Sequence, residues 1–181
     1  MHAAARSPSK SPAMRMRGSP ENDMDTSDDK KNAAPPTLRP EQGDRRWAGV
    51  DLMQYKQEGS APFRDITRQV LFDDPQLAAQ MRYFEMAPGG YSTLERHQHM
   101  HAVMILRGHG RCLVGNRVFE VNEHDLVTIP ALAWHQFRAP DDAPMGFLCV
   151  VNAVRDKPQL PTPADLDALR ADVATAAFIR T

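Results

Sequence analysis

Gly89-Gly90-Tyr91-Ser92-Thr93-Leu94-Glu95-Arg96-His97-Gln98-His99-Met100-His101, running on through Ala102-Val103-Met104-Ile105-Leu106-Arg107 to Gly108, organises the reading of the whole 181-residue chain. Glu95, His97, His99 and His101 stand at alternate positions just before an apolar run. In an extended strand, residues two apart share a face, so Glu95 and His97 converge on one point. Imidazole nitrogen beside carboxylate oxygen suits a first-row divalent ion such as iron, manganese, nickel, copper or zinc. A single histidine is more often a packed or solvated side chain than a ligand. Four ligand-capable side chains within seven residues are hard to explain by packing alone, so the stretch reads as a metal site.

Outward from it, the chain reads as many short strands. Residues 66–72 have the β-branched content and partial alternation of a strand, and Asp73-Asp74-Pro75 turns the chain. Residues 81–86 form the next candidate, closed by Pro88-Gly89-Gly90. Further candidates are 91–97, 102–107, 111–114, 118–121, 126–129, 134–138 and 145–151, with breaks at Gly108-His109-Gly110, Gly115-Asn116, 122–125, Pro130 and 140–144. Short strands at close, regular spacing predict an all-β sandwich or barrel.

The two ends differ from this middle. Residues 1–46 contain no Ile, Val, Phe, Tyr or Trp before Trp47 and are rich in Pro, Ser, Lys, Arg and Asp. Such a segment buries too little apolar surface to offset its ordering entropy, and a disordered tail is expected there, with the barrel over 47–160. Over 161–181, Thr162-Pro163-Ala164-Asp165 offers a helix cap, and Leu166, Leu169, Val173 and Ala176 recur at helical spacing. One amphipathic C-terminal helix packed on the barrel is expected. The net charge of −1 and pI near 6.6 give no polyanion-binding surface, and no apolar run approaches a membrane span. The reading is a cytoplasmic protein without nucleic-acid or membrane partners. Cys112 and Cys149 sit inside apolar runs as free thiols rather than a disulfide framework.

The spacing Gly89, Glu95, His97, His101, Gly108 resembles the first motif of the cupins, Gly-x5-His-x-His-x3-Glu-x6-Gly. Pro130 and His135 match the proline and histidine of the second, Gly-x5-Pro-x-Gly-x2-His-x3-Asn. The likeness covers roughly 81–151 and implies a double-stranded β-helix, or jelly-roll, with a divalent ion inside. Carried over by position, it implies Glu95, His97, His101 and His135 as metal ligands, with carboxylate and imidazole exchanged between the first and third places. His99 falls on no ligand position, though it could serve in place of Glu95; Glu95 could instead pair with Arg96 or Arg107 and leave three histidines. His124, Leu132 and Ala139 replace the second motif's two glycines and its asparagine, which bears on loop geometry.

Strand parity sends Val103, Ile105 and Phe137 inward, with Phe147, Cys149 and Val151 on one face of the last strand. Tyr83, Tyr91 and Gln136 are candidates to fix the imidazoles, His99 and Tyr91 candidates for a general base, and Arg82, Arg96, Arg107 and Arg138 for clamping a substrate carboxylate. The resemblance implies an Fe(II)-type oxygenase, or one using Mn, Ni or Cu, acting on a small organic substrate. The alternatives are a metal-dependent isomerase or lyase of a sugar or keto acid, and a small-molecule-binding cupin without turnover. A homodimer is common among cupins and is the expected assembly.

Overall fold

The computed structural model describes residues 38–181; the tail expected over 1–46 lies, for residues 1–37, outside the described residues. Order reaches further upstream than Trp47. Gln42 donates from its backbone N–H to Arg46 (2.7 Å), and Glu41 bridges to Trp47. The reason lies in β2 (Arg64–Asp73): its Gln69 is 1% exposed and donates its amide to the Arg45 carbonyl at 2.8 Å. A buried amide needs a partner, and this turn supplies it.

β1 (Met53–Gln54) pairs with β2, and β2 forms a long hairpin with β3 (Ala79–Tyr91) across the expected Asp-Pro turn. There Asp74 accepts from the backbone of Gln76 and Leu77, an Asx-type closure. Pro88-Gly89-Gly90 does not end the strand as the sequence suggested. Met86 faces Ile66 and Tyr91 faces Arg64, so residues 87–90 bulge opposite Asp65 alone. A side chain at position 90 would lie 2.9 Å from the carbonyl oxygens of both Ala87 and Asp65. Glycine there lets the backbone close up, and the bulge re-aims the strand. β3 pairs with β9 (Met145–Asn152) through 79–86 and meets β8 (His135–Arg138) at Tyr91.

The remaining strands are β4 (His101–Arg107), β5 (His109–Val114), β6 (Arg117–Asn122) and β7 (Leu126–Ile129). All pairings are antiparallel, in the order β6-β5-β8-β3-β9-β4-β7, with β2 also on β3. This curled sheet encloses Val103, Ile105, Phe137, Phe147, Cys149 and Val151, the parity expected of them, and Phe84 beside them. Both cysteines are free and buried.

The expected C-terminal helix is two short ones, α1 (Pro163–Arg170) and α2 (Val173–Phe178). Thr162 and Asp165 form a reciprocal capping box at α1. Asp172 then takes an extended backbone and accepts from Thr175 N–H, which caps α2 and breaks the run. Val173, expected on the packed stripe, is therefore 84% exposed, and Phe178 and Ile179 join Leu94, Leu113 and Leu169 in a second core on the outer face of the sheet.

Candidate metal centre

The stretch from Ser92 to His97 was expected as a strand. It is instead an extended edge held to β8 and the turn before it by separate hydrogen bonds: Ser92 N–H to Phe137 and reciprocal bonds between Glu95 and His135 on β8, and Leu132 N–H from the preceding turn to His97. These bonds place Glu95 and His97 beside His135. One ligand atom from each of Glu95, His97 and His135 lies within 4.8 Å of the others, and the same holds for His97, His99 and His101. The two trios share His97. The rings of His97 and His99 stack at 3.6 Å, and His101 lies 4.5 Å from His97 and 5.6 Å from His135.

Each of three rings is anchored through Nδ1. His97 donates to the carbonyl of His99 (2.7 Å) and His135 to that of Ala133 (3.0 Å), while His101 Nδ1 meets Cys149 Sγ at 3.3 Å. A carbonyl can only accept, so the proton of His97 and of His135 sits on Nδ1 and Nε2 keeps its lone pair. The Nε2 atoms of His97 and His101 are buried with no hydrogen-bond partner. Burial, then the charges of neighbouring histidines, pushes His97 down to about 4 and His101 down to about 2; burial also lowers His135. Neutral rings with bare, buried lone pairs are the chemistry a divalent ion requires. The donor set fits a metal.

These shifts fix a pH dependence. Between the folded values of His97 and His101 and the unfolded value of 6.5, the unfolded chain binds more protons, so stability rises with pH there. Metal-free protein is expected to lose stability as pH falls from 6.5 toward 4, with no contribution from these rings above about pH 7.5. Urea midpoints across that range check this, and a His101→Gln variant should flatten the slope; an unchanged midpoint would contradict it.

Glu95 is 7% exposed and pairs with Lys56, not with Arg96 or Arg107. Arg96 lies over Trp134 and Arg107 pairs with Glu85. Lys56, in the loop after β1, was not singled out from sequence, since nothing near it repeats or alternates. His99 donates to Asp156 Oδ1 at 2.6 Å and faces the cavity, while hydrogen bonds from the backbone N–H of Gln98 hold the Asp156 carboxyl well below its ordinary value. Asp156 too was invisible in sequence. Tyr91 packs under Arg64, Tyr83 bonds Glu85, and none of Tyr83, Tyr91 and Gln136 reaches an imidazole. Gln136 bonds Arg180 and Ser92 instead of a histidine, and those bonds account for its full burial. The histidines open on a cavity of about 210 Å³ walled by Phe84, Val103, Phe137 and Phe147 on its apolar side.

The family model for the cupin domain matches residues 82–151, the strands that carry these side chains. Over 142 residues the chain is 64% identical to 1-methylthio-D-xylulose 5-phosphate methylsulfurylase of Rhodospirillum rubrum, covering 78% of this chain and 91% of that protein. The chain belongs to the cupin family. Two solved cupins superpose on it. The crystal structure of a cupin 2 conserved barrel domain protein from Rhodopseudomonas palustris matches with TM-score 0.76 and 59% identity over 80% of this cupin and 100% of that chain. A cupin-2 domain from Rhodospirillum rubrum matches with TM-score 0.71 and 64% identity over 78% of this cupin and 95% of that chain. No helix among the described residues of this cupin is long and apolar enough to cross a membrane.

Proposed function

We propose that this cupin is a divalent-metal enzyme that removes the methylsulfanyl group of a 1-methylthio ketose 5-phosphate and hands it to a thiol. The observation that carries this reading is the 64% identity to the R. rubrum methylsulfurylase along 91% of that protein. In a 2-ketose, C1 is adjacent to the C2 carbonyl, so a C1–S bond can break toward sulfur attack. The thiol sulfur bonds to the substrate sulfur, the C1–S electron pair passes into the C1–C2 enolate, and C1 takes a proton. The balance is R–SCH3 + R′SH → R–H + R′S–SCH3: carbon is reduced by two electrons and the two sulfurs are joined as a disulfide. The divalent ion, when bound, supplies Lewis-acid polarisation of the C2 carbonyl.

This chain's own groups do the rest. Glu95, His97, His101 and His135 are the residues that would hold the ion, with His99 the alternative to Glu95. His99, fixed by Asp156 and stacked on His97, is placed to move the proton at C1. Phe84, Phe137 and Phe147 exclude water from the reacting end. An Fe(II)-type oxygenase would use the same ligands but consume O2; an isomerase would leave the sulfur in place.

The test is anaerobic incubation of metal-loaded protein with 1-methylthio-D-xylulose 5-phosphate and 2-mercaptoethanol, followed by NMR and mass spectrometry. The expected result is a 1-deoxy ketose phosphate and the methyl mixed disulfide in equal amounts. Intact substrate with each of Mn, Fe, Ni and Zn would overturn the reading, and O2 uptake on aerobic repetition would return it to the oxygenase.

A further inference from the structure

We propose that Arg68, Arg82 and Arg155 form a binding subsite for a phosphate monoester dianion in the wall of the metal cavity. The arginines themselves argue for an anion; naming it a sugar phosphate rests on the methylsulfurylase reading.

All three side chains line the cavity that holds His97 and His101. Arg82 stands on β3 and is only 8% exposed. Arg68 reaches in from β2, and Arg155 from the segment just after β9. Among the described residues none of the three makes an ion pair. Their contacts are weak for guanidiniums. Arg82 has Cys149 Sγ at 3.4 Å and the Phe84 ring at 5.2 Å, Arg68 has Met53 Sδ at 3.9 Å, and Arg155 donates to the Asn152 carbonyl at 2.9 Å. The Nε atoms of Arg68 and Arg82 are buried without a partner.

A buried and a half-buried guanidinium, Arg82 and Arg68, with the more exposed Arg155 beside them and no carboxylate in ion-pair contact with any of the three among the described residues, are unfavourable unless something anionic completes them. The three share one cavity wall, and after burial the charge of Arg82 lowers both Arg68 and Arg155, with Asp73 opposing it at Arg155. The acids nearby are engaged elsewhere: Glu95 by Lys56, Asp156 by His99 and two backbone N–H groups, and Asp73, whose charge reaches Arg155, by the Gln80 amide at 2.7 Å. Guanidinium forks match phosphate oxygens in pairs, and three forks suit a dianion with three free oxygens better than a carboxylate with two.

The placement also orients the ligand. Arg82 touches Cys149, and Cys149 touches His101, so the anion end and the metal end lie on either side of one side chain. A ketose 5-phosphate seated by its phosphate on the arginines turns its C1–C2 end toward the histidines.

Isothermal titration of full-length, metal-loaded protein with D-xylulose 5-phosphate, D-xylulose and inorganic phosphate at constant ionic strength tests this. D-Xylulose 5-phosphate should bind roughly 100-fold more tightly than D-xylulose, and inorganic phosphate should compete. Arg82→Gln should weaken the phosphorylated sugar by about 100-fold and the exposed Arg155→Gln by about tenfold, with metal content unchanged and Arg155→Lys partly restored. Wild-type affinity in Arg155→Gln and Arg82→Gln would overturn the subsite; should Arg82→Gln not fold, Arg155→Gln with Arg68→Gln decides. The two readings fail separately. Arginine-dependent phosphate binding without methylsulfanyl loss keeps the subsite and sinks the reaction. Turnover whose KM is unmoved in the arginine variants keeps the reaction and sinks the subsite.

Discussion

Replacing His97 with alanine is expected to leave a folded chain that no longer retains a divalent ion. His97 is the residue common to both ligand trios, is 2% exposed, and presents an Nε2 with no other partner. Loss of a partner that merely orients a ligand costs about 10–100-fold in metal affinity, and loss of a ligand shared by every available set should exceed that. The methylsulfanyl transfer proposed above should fall with the ion. The metal-free fold should survive, since the substitution also removes a buried Nε2 that has no partner in the apo protein. Elemental analysis of His97→Ala beside His109→Ala decides it, because His109 is an exposed histidine outside both trios. Full metal in His97→Ala would mean that the ion, if any, is held elsewhere; loss in both variants would point to misfolding rather than ligation.

Much of this site was legible because its code is local. Alternation fixed which residues share a face, and the spacing of Glu95, His97 and His101 carried the family likeness without long-range information. Strand interiors were legible for the same reason, and β7 falls on the expected residues 126–129. What the sequence hid depends on chain segments that meet only in the fold. Lys56 and Asp156 reach the site from loops 39 and 57 positions away from their partners Glu95 and His99. The arginine wall is assembled from β2, β3 and the segment after β9, so no window of sequence contains it. Pro88-Gly89-Gly90 looked like a strand end because a bulge and a turn use the same residues; pairing on both sides tells them apart. The missing motif glycines are a different lesson. His124 and Leu132 take φ of 73° and 59°, the left-handed backbone a glycine would have supplied. Each is held by a backbone bond, His124 N–H to Ile105 and Leu132 N–H to His97, so the turn is kept at a cost of about 1–3 kcal/mol apiece. Leu132 thereby braces the carbonyl of the central ligand.

Phe178→Ala is expected to destabilise the protein by about 3–5 kcal/mol, the range for deleting a buried ring. Phe178 is fully buried at the end of α2, between Leu94, Leu113, Leu169 and Ile179, with the guanidiniums of Arg111 and Arg138 at 5.4 and 5.3 Å from its ring. Its carbonyl accepts from Arg138 at 2.8 Å, and two residues on, Arg180 exchanges backbone hydrogen bonds with the Gln136 amide. At about 2–4 °C per kcal/mol for a chain of this size, Tm should drop by roughly 6–20 °C. Val173→Ala, on the same helix but solvent-facing, should stay within about 0.5 kcal/mol. The effect should reach the metal as well. Leu94 precedes Glu95, and Gln136 follows His135, so the outer core grips the backs of two ligand positions from the side opposite the cavity. Loosening that grip should weaken metal retention by about tenfold, the lower end of what indirect support contributes. Thermal unfolding with and without divalent ion, in wild type and Phe178→Ala, separates the two effects. If stability fell while the ion still raised Tm as much as in wild type, the C-terminal helices would be a cover on a barrel that sets its own ligand geometry. If the ion's stabilisation also shrank, those helices would be part of how the site is held.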